Sequence, residues 1–186
     1  MFCTERLDRE AFRQQDQRPT YRKELHESER GMLEPLLADG FELVGCGIAR
    51  IVLRFPDSSA ASEYVVKLSR FGISTVSHGV VQNHREVLLW NRHGESGEWP
   101  LAPVVAYERE RFAWLVMPYG EAISDRPEDE RDEHLWTVRS QIRFLQPFDM
   151  RELLETNIVL IDGEPRIVDY GDLLRDALTV VSNPNV

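Results

Sequence analysis

The sequence predicts an α+β fold, and three observations carry that expectation. Short apolar runs come in pairs joined by turn residues, as antiparallel hairpins require: residues 41–44 with 51–55, 101–106 with 112–117, and 158–161 with 166–168. Stretches of helical periodicity stand apart from them, at the N-terminus, at 80–92 and at 134–145. Finally, 186 residues with 42% hydrophobic content can bury a core, either as one domain or as two small lobes sharing a cleft.

Composition removes several function classes. No run approaches the roughly 18 apolar residues of a membrane span, and the N-terminal stretch MFCTERLDREAF lacks the apolar centre of a signal peptide. The expectation is a soluble, cytoplasmic protein with no membrane association. A net charge of -10 argues against a nucleic-acid surface, which needs clustered Lys and Arg to neutralise phosphates. Cys3 and Cys46 make neither a disulfide framework nor a zinc pattern. His78, His84 and His93 are spaced by six and nine, which matches no ligand motif, so they read as ordinary helix and cap residues.

Each element has its own justification. In the first forty residues Tyr21, Leu25, Met32, Leu36 and Leu37 recur at roughly helical spacing, with Ala38-Asp39-Gly40 as a stop; the alternative is that Pro35 begins a separate turn. This segment, 1–40, reads as a helical extension packed on the outside. The strands at 41–44 and 51–55 are joined by Gly45-Cys46-Gly47-Ile48-Ala49-Arg50, whose glycines let backbone amides approach a ligand. Residues 64–68 form a third strand carrying Lys67, for which the plain structural reading is a solvated edge charge. In the helix at 80–92, Val80, Val81, His84, Val87, Leu88 and Trp90 supply apolar surface, and Glu86 alone would be an exposed helix residue. The pair 101–106 and 112–117 ends at Met117-Pro118-Tyr119-Gly120, where Pro and Gly stop the strand. Residues 125–133 read as a charged, solvated connection, and 134–145 as a helix.

The last hairpin is the most informative. Asp162-Gly163 joins its two runs, Asn157 precedes the first and Asp169 follows the second. Such a hairpin brings Asn157 and Asp169 close together, and oxygen ligands so arranged suit magnesium, which takes one or two protein ligands plus phosphate and water.

In this order the pieces resemble the protein-kinase-like superfamily. Residues 45–52, GCGIARIV, are similar to its glycine-rich loop, Lys67 to the lysine of its third strand and Glu86 to the partner on the following helix. Met117-Pro118-Tyr119-Gly120 resembles the hinge, residues 150–157 the catalytic loop, and Asp169-Tyr170-Gly171 the Asp-Phe-Gly motif. The separations match too: fifteen from Val52 to Lys67, nineteen from Lys67 to Glu86, twelve from Asn157 to Asp169. Lys67 weighs most, because the chain has only one other lysine, Lys23.

The resemblance implies a five-stranded antiparallel sheet with one helix over residues 41–120, and a much reduced C-terminal lobe over 121–186. It implies ATP and magnesium as ligands. Lys67 would hold the α- and β-phosphates, Glu86 would orient it through an ion pair, and Asn157 and Asp169 would bind the metal. Gly45, Gly47, Val52, Met117, Pro118 and Gly120 would line the nucleotide, with backbone groups of Pro118 and Gly120 on the adenine edge. Three departures follow. Arg50 stands at the third glycine, where it would crowd the phosphates or add charge beside them. Glu152 stands where the catalytic aspartate belongs, with Asp149 as a second candidate. Fifteen residues follow Gly171, short of the usual peptide platform, so a small-molecule or self acceptor is expected, or a protein partner replacing that surface. Two function classes result: a minimal phosphotransferase using Glu152, or a non-catalytic pseudokinase that binds nucleotide as a regulatory module.

Overall fold

A computed structural model describes residues 25, 27–57, 59, 61, 63–70, 78–142 and 153–171. Its described residues fall into two compact units, one within Met1–His84 and Val104–Tyr119, the other within Arg85–Pro103 and Gly120–Val186.

The first unit is built on a five-stranded antiparallel sheet. Helix α1 spans Glu27–Ala38, followed by β1 (Glu42–Cys46), β2 (Arg50–Arg54) and β3 (Tyr64–Ser69). Helix α2 (His78–Leu89) crosses the boundary between the units at His84, and β4 (Ala106–Tyr107) and β5 (Trp114–Pro118) return to the sheet, whose order is β1-β2-β3-β5-β4. Helix α1 runs on through Pro35 rather than restarting there, and stops at Gly40, whose φ of +90° a side chain would oppose. Its Leu33 and Leu36 join Ile51, Leu53, Val66, Leu68, Trp114 and Val116 in the core, so α1 covers one face of the sheet. Alternate residues point to opposite faces of a strand, which leaves Val52, Lys67, Leu115 and Met117 on the other.

The expected strand at 101–106 is a correction. Only Ala106 and Tyr107 pair in the sheet; Leu101 instead makes a single parallel bridge to Ile167 in the second unit. Pro100 and Pro103 lack the N–H that a strand there would need, and the Ala102 amide is donated to the Ile167 carbonyl at 2.9 Å.

In the second unit, α2 ends in a wide turn at Trp90–Gly94. A three-stranded sheet follows, β6 (Glu121–Ala122), β7 (Ile158–Ile161) and β8 (Glu164–Ile167), in that order. Helix α3 occupies Glu128–Ile142, so the charged connection expected up to residue 133 is corrected: its second half is the first turns of a helix. Glu128, Asp129 and Glu130 there favour the positive end of the helix dipole. The expected end of this helix at 145, a helix at 173–181, and residues 149 to 152 lie outside the described residues. Asp162 and Gly163 join β7 to β8 with φ of 53° and 78°, the left-handed pair that a two-residue hairpin turn demands. Among the described residues no helix is long and apolar enough to cross a membrane.

Candidate functional site

Three strands put Gly45, Val52 and Lys67 in one row. Gly45 pairs with Val52, Val52 with Lys67, and Lys67 with Leu115. Directly paired residues share a face, so this row lies on the face that α1 does not cover. Met117, paired with Val65, points the same way. The plain reading of Lys67 as an edge charge is overturned: β3 is the central strand, and Lys67 is 4% exposed. Its side chain therefore lies in the interior of the sheet, away from bulk water.

The glycine turn is shorter than the sequence suggests. Gly45 and Cys46 belong to β1, with a bulge between Leu43 and Gly45, and the turn proper is Gly47-Ile48-Ala49, closed by Gly47 N–H to the Arg50 carbonyl at 2.8 Å. Neither Gly45 nor Gly47 has a positive φ. A Cβ at Gly45 would meet nothing within 4 Å, and one at Gly47 only the Arg50 carbonyl at 3.6 Å. Backbone conformation and packing therefore do not require these glycines, which leaves room for an approaching group as the reason for them.

Arg50, at the position of the third glycine, is tied into the first unit. It is 6% exposed, and its Nη1 donates to Oδ1 of Asn83 on α2 at 3.5 Å, while Asn83 Nδ2 donates to the Phe112 carbonyl at 2.8 Å. It braces α2 and the β4–β5 turn. Burial pushes the Cys46 thiol above its usual range, with Arg70 opposing.

In the second unit the expected hairpin forms, β7 pairing antiparallel with β8. Val168 N–H donates to the Asn157 carbonyl at 2.8 Å, which holds Asn157 and the following Asp169 at the same end of the β7–β8 pair. Asn157 closes the turn Glu155–Asn157, where its Oδ1 accepts the Leu154 N–H at 3.0 Å, so one of its two lone pairs is engaged. Two arginines of α3 brace this turn: Arg131 pairs with Glu155 at 2.9 Å, and Arg139 donates to the Leu153 carbonyl at 3.0 Å. Sequence reasoning missed both: Arg139 lies in the helix expected at 134–145 but was given no role, and Arg131 fell in the stretch read as a connection.

Asp169 has a φ of 57°, a left-handed conformation that costs a non-glycine residue energy and is found preferentially where function over-determines the backbone. Its neighbours are fixed. Tyr170 is fully buried and donates its hydroxyl to the Ala102 carbonyl at 3.1 Å. Gly171 N–H donates to Glu86 Oε1 at 3.4 Å, and Arg85 Nη1 to the Gly171 carbonyl at 3.4 Å. Glu86 is thus buried, not the exposed helix residue its plain reading predicts, and it reaches the segment after Asp169. No group of three or more His, Cys, Asp and Glu able to hold a metal occurs among the described residues, so a cation at Asn157 and Asp169 would take its remaining ligands from phosphate and water.

Gly120 also has a physical reason. A Cβ there would stand 2.7 Å from Val159 Cγ2 and 2.9 Å from the Leu160 carbonyl, so close packing of the chain on β7 requires glycine. Pro118, the last residue of β5, pairs with Tyr64, and the Tyr119 amide donates to the Glu63 carbonyl at 2.6 Å. Glu152 lies outside the described residues. Compared with known proteins, the chain matches no family model, and no curated protein matches it.

Proposed function

We propose that this chain is a kinase-like protein that binds ATP and magnesium. The observation that carries the reading is the row Gly45–Val52–Lys67, with Lys67 buried in the central strand on the face opposite the α1 core. In this reading the first unit supplies the phosphate side: Gly45 and Gly47 admit the phosphates, Lys67 neutralises them, and Val52 and Met117 contribute apolar surface beside the base. Pro118 and Gly120 offer backbone groups to the adenine edge. The second unit supplies the metal side, with one oxygen each from Asn157 and Asp169.

Asn157 and Asp169 would hold the magnesium, which would supply positive charge against the charge that develops during transfer. Glu152 would then take a proton from the acceptor hydroxyl or position it. Its carboxylate sits one methylene farther from the backbone than an aspartate would, and an ångström of misplacement costs about a hundredfold in rate. That substitution favours a second reading, in which nucleotide binding persists without transfer and the protein is a regulatory module.

Thermal unfolding with Mg-ATP tests the shared premise. At a hundred times the dissociation constant the nucleotide should stabilise the wild type by about 2.7 kcal/mol, and Lys67→Ala should lose most of that. An unshifted wild type ends both readings. Once binding is seen, transfer of labelled γ-phosphate decides between them: incorporation that is equal and at background in wild type and Glu152→Gln sinks the phosphotransferase.

A further inference from the structure

We infer that Arg70 and Glu29 are positioning residues for the glycine turn, so that α1 serves the phosphate side of the site as well as the core; the ligand half of this inference rests on the function proposed above. Glu29 lies four and seven residues before Leu33 and Leu36, on the buried face of α1, and is itself 5% exposed. A carboxylate in that position needs a partner, and Arg70 is it. Arg70 follows β3 directly and is 4% exposed. Its Nε and Nη2 each donate to one Glu29 oxygen at 2.7 Å, a bidentate fork that fixes the guanidinium plane.

The remaining donors of Arg70 go to the turn. Nη1 reaches the Gly47 carbonyl at 2.5 Å and Cys46 Sγ at 3.5 Å, and the Arg70 amide donates to the Ala49 carbonyl at 2.8 Å. One residue therefore engages the carbonyls at both ends of Gly47-Ile48-Ala49. These carbonyls would repel a phosphate if turned toward it; on Arg70 they are occupied. The turn has one cross-bond of its own, Gly47 to Arg50, and no left-handed residue to lock it. Its order is imposed from α1 through Glu29 and Arg70. A buried pair of this kind is poor at adding stability and better at selecting one geometry.

The test uses the full chain and the double variant Glu29→Leu/Arg70→Met, which removes both buried charges at similar volume. Hydrogen exchange in residues 45–50 and in β3 and β5, together with Mg-ATP affinity, are measured against wild type. The expected result is unchanged protection in β3 and β5, faster exchange in 45–50, and affinity weakened by about tenfold, within the usual range of coupling between sites. Arg70→Lys, which keeps the positive charge but loses the fork, should move both readouts the same way by less, and it stands in should the double variant fail to fold. Unchanged exchange in 45–50 overturns the inference, as does faster exchange with unchanged affinity, which would leave the pair a structural brace. A wild type that binds no Mg-ATP removes the proposed function and the ligand half together, while the exchange data still decide whether the pair orders the turn.

Discussion

Two hairpins carry most of the candidate site, and they are held in shape by opposite means. The β7–β8 turn is local: Asp162 and Gly163 adopt left-handed φ values that match the strand twist, and no distant residue is needed. The β1–β2 turn is remote: its glycines have ordinary φ, and its carbonyls are gripped by Arg70, itself anchored to Glu29 on α1. A turn fixed by its own backbone can be written in two letters. A turn fixed by residues 23 positions downstream and 18 upstream of Gly47 cannot, and it is the one open to adjustment from outside.

The largest expected effect breaks the remote arrangement. Arg70→Met alone leaves the Glu29 carboxylate buried without its fork, and removing one member of a buried pair costs about 3–5 kcal/mol. The double variant Glu29→Leu/Arg70→Met should recover most of that loss. Urea unfolding of the two proteins checks it, and equal stability would mean that the charge left behind in the single variant is solvated.

A smaller effect separates the two turns by their glycines. Gly163→Ala places a Cβ at a φ of 78° and should cost about 1–2 kcal/mol, the usual left-handed penalty. Gly47→Ala meets only the Arg50 carbonyl at 3.6 Å and should leave stability within about 0.5 kcal/mol. Mg-ATP affinity should show the reverse order, with the Gly47 variant weakened and the Gly163 variant close to wild type. A large stability loss at Gly47 would place the need for glycine in the fold rather than in the ligand.

What could be read from the sequence follows the same division. The α+β class, the β7–β8 turn and the placement of Asn157 and Asp169 at one end of it rest on local signals, an Asp-Gly pair between apolar runs. The row Gly45–Val52–Lys67 was approached through separations along the chain, but its face and the burial of Lys67 depend on strand order, which no local pattern encodes. Arg50, Glu29 and Arg70 were unreadable for a stronger reason. Each is a charged residue buried beside a partner more than thirty residues away in the chain, which no local pattern announces. The one available hint was Glu29 on the face of α1 shared with Leu33 and Leu36. The strand expected at 101–106 failed where Pro100 and Pro103 should have warned against it.

The β4–β5 turn falls between the two cases and gives the finest test. It has a local device, Phe112 at a φ of 53° with the Glu108 carboxylate accepting the amides of Glu110 and Arg111 at 2.7 Å each. It also has a remote one, because Asn83 and His84 of α2 reach Phe112, the imidazole stacking on the ring at 4.3 Å. Burial lowers the His84 pKa below its ordinary 6.5, so the neutral ring is the folded form. Unfolded chains then bind more protons than folded ones as the pH falls through that ordinary value, and stability declines with them until the folded ring protonates too. His84 therefore contributes stability that is complete above pH 6.5 and lost below it. Urea midpoints at about pH 7.5 and 5.5 should fall less in His84→Leu than in wild type, by a small margin because the ring is only partly buried. Identical falls would mean that packing against Phe112 does not disfavour the charged ring, so that the remote device adds no pH dependence to a turn that Phe112 and Glu108 also fix locally, as Asp162 and Gly163 fix theirs.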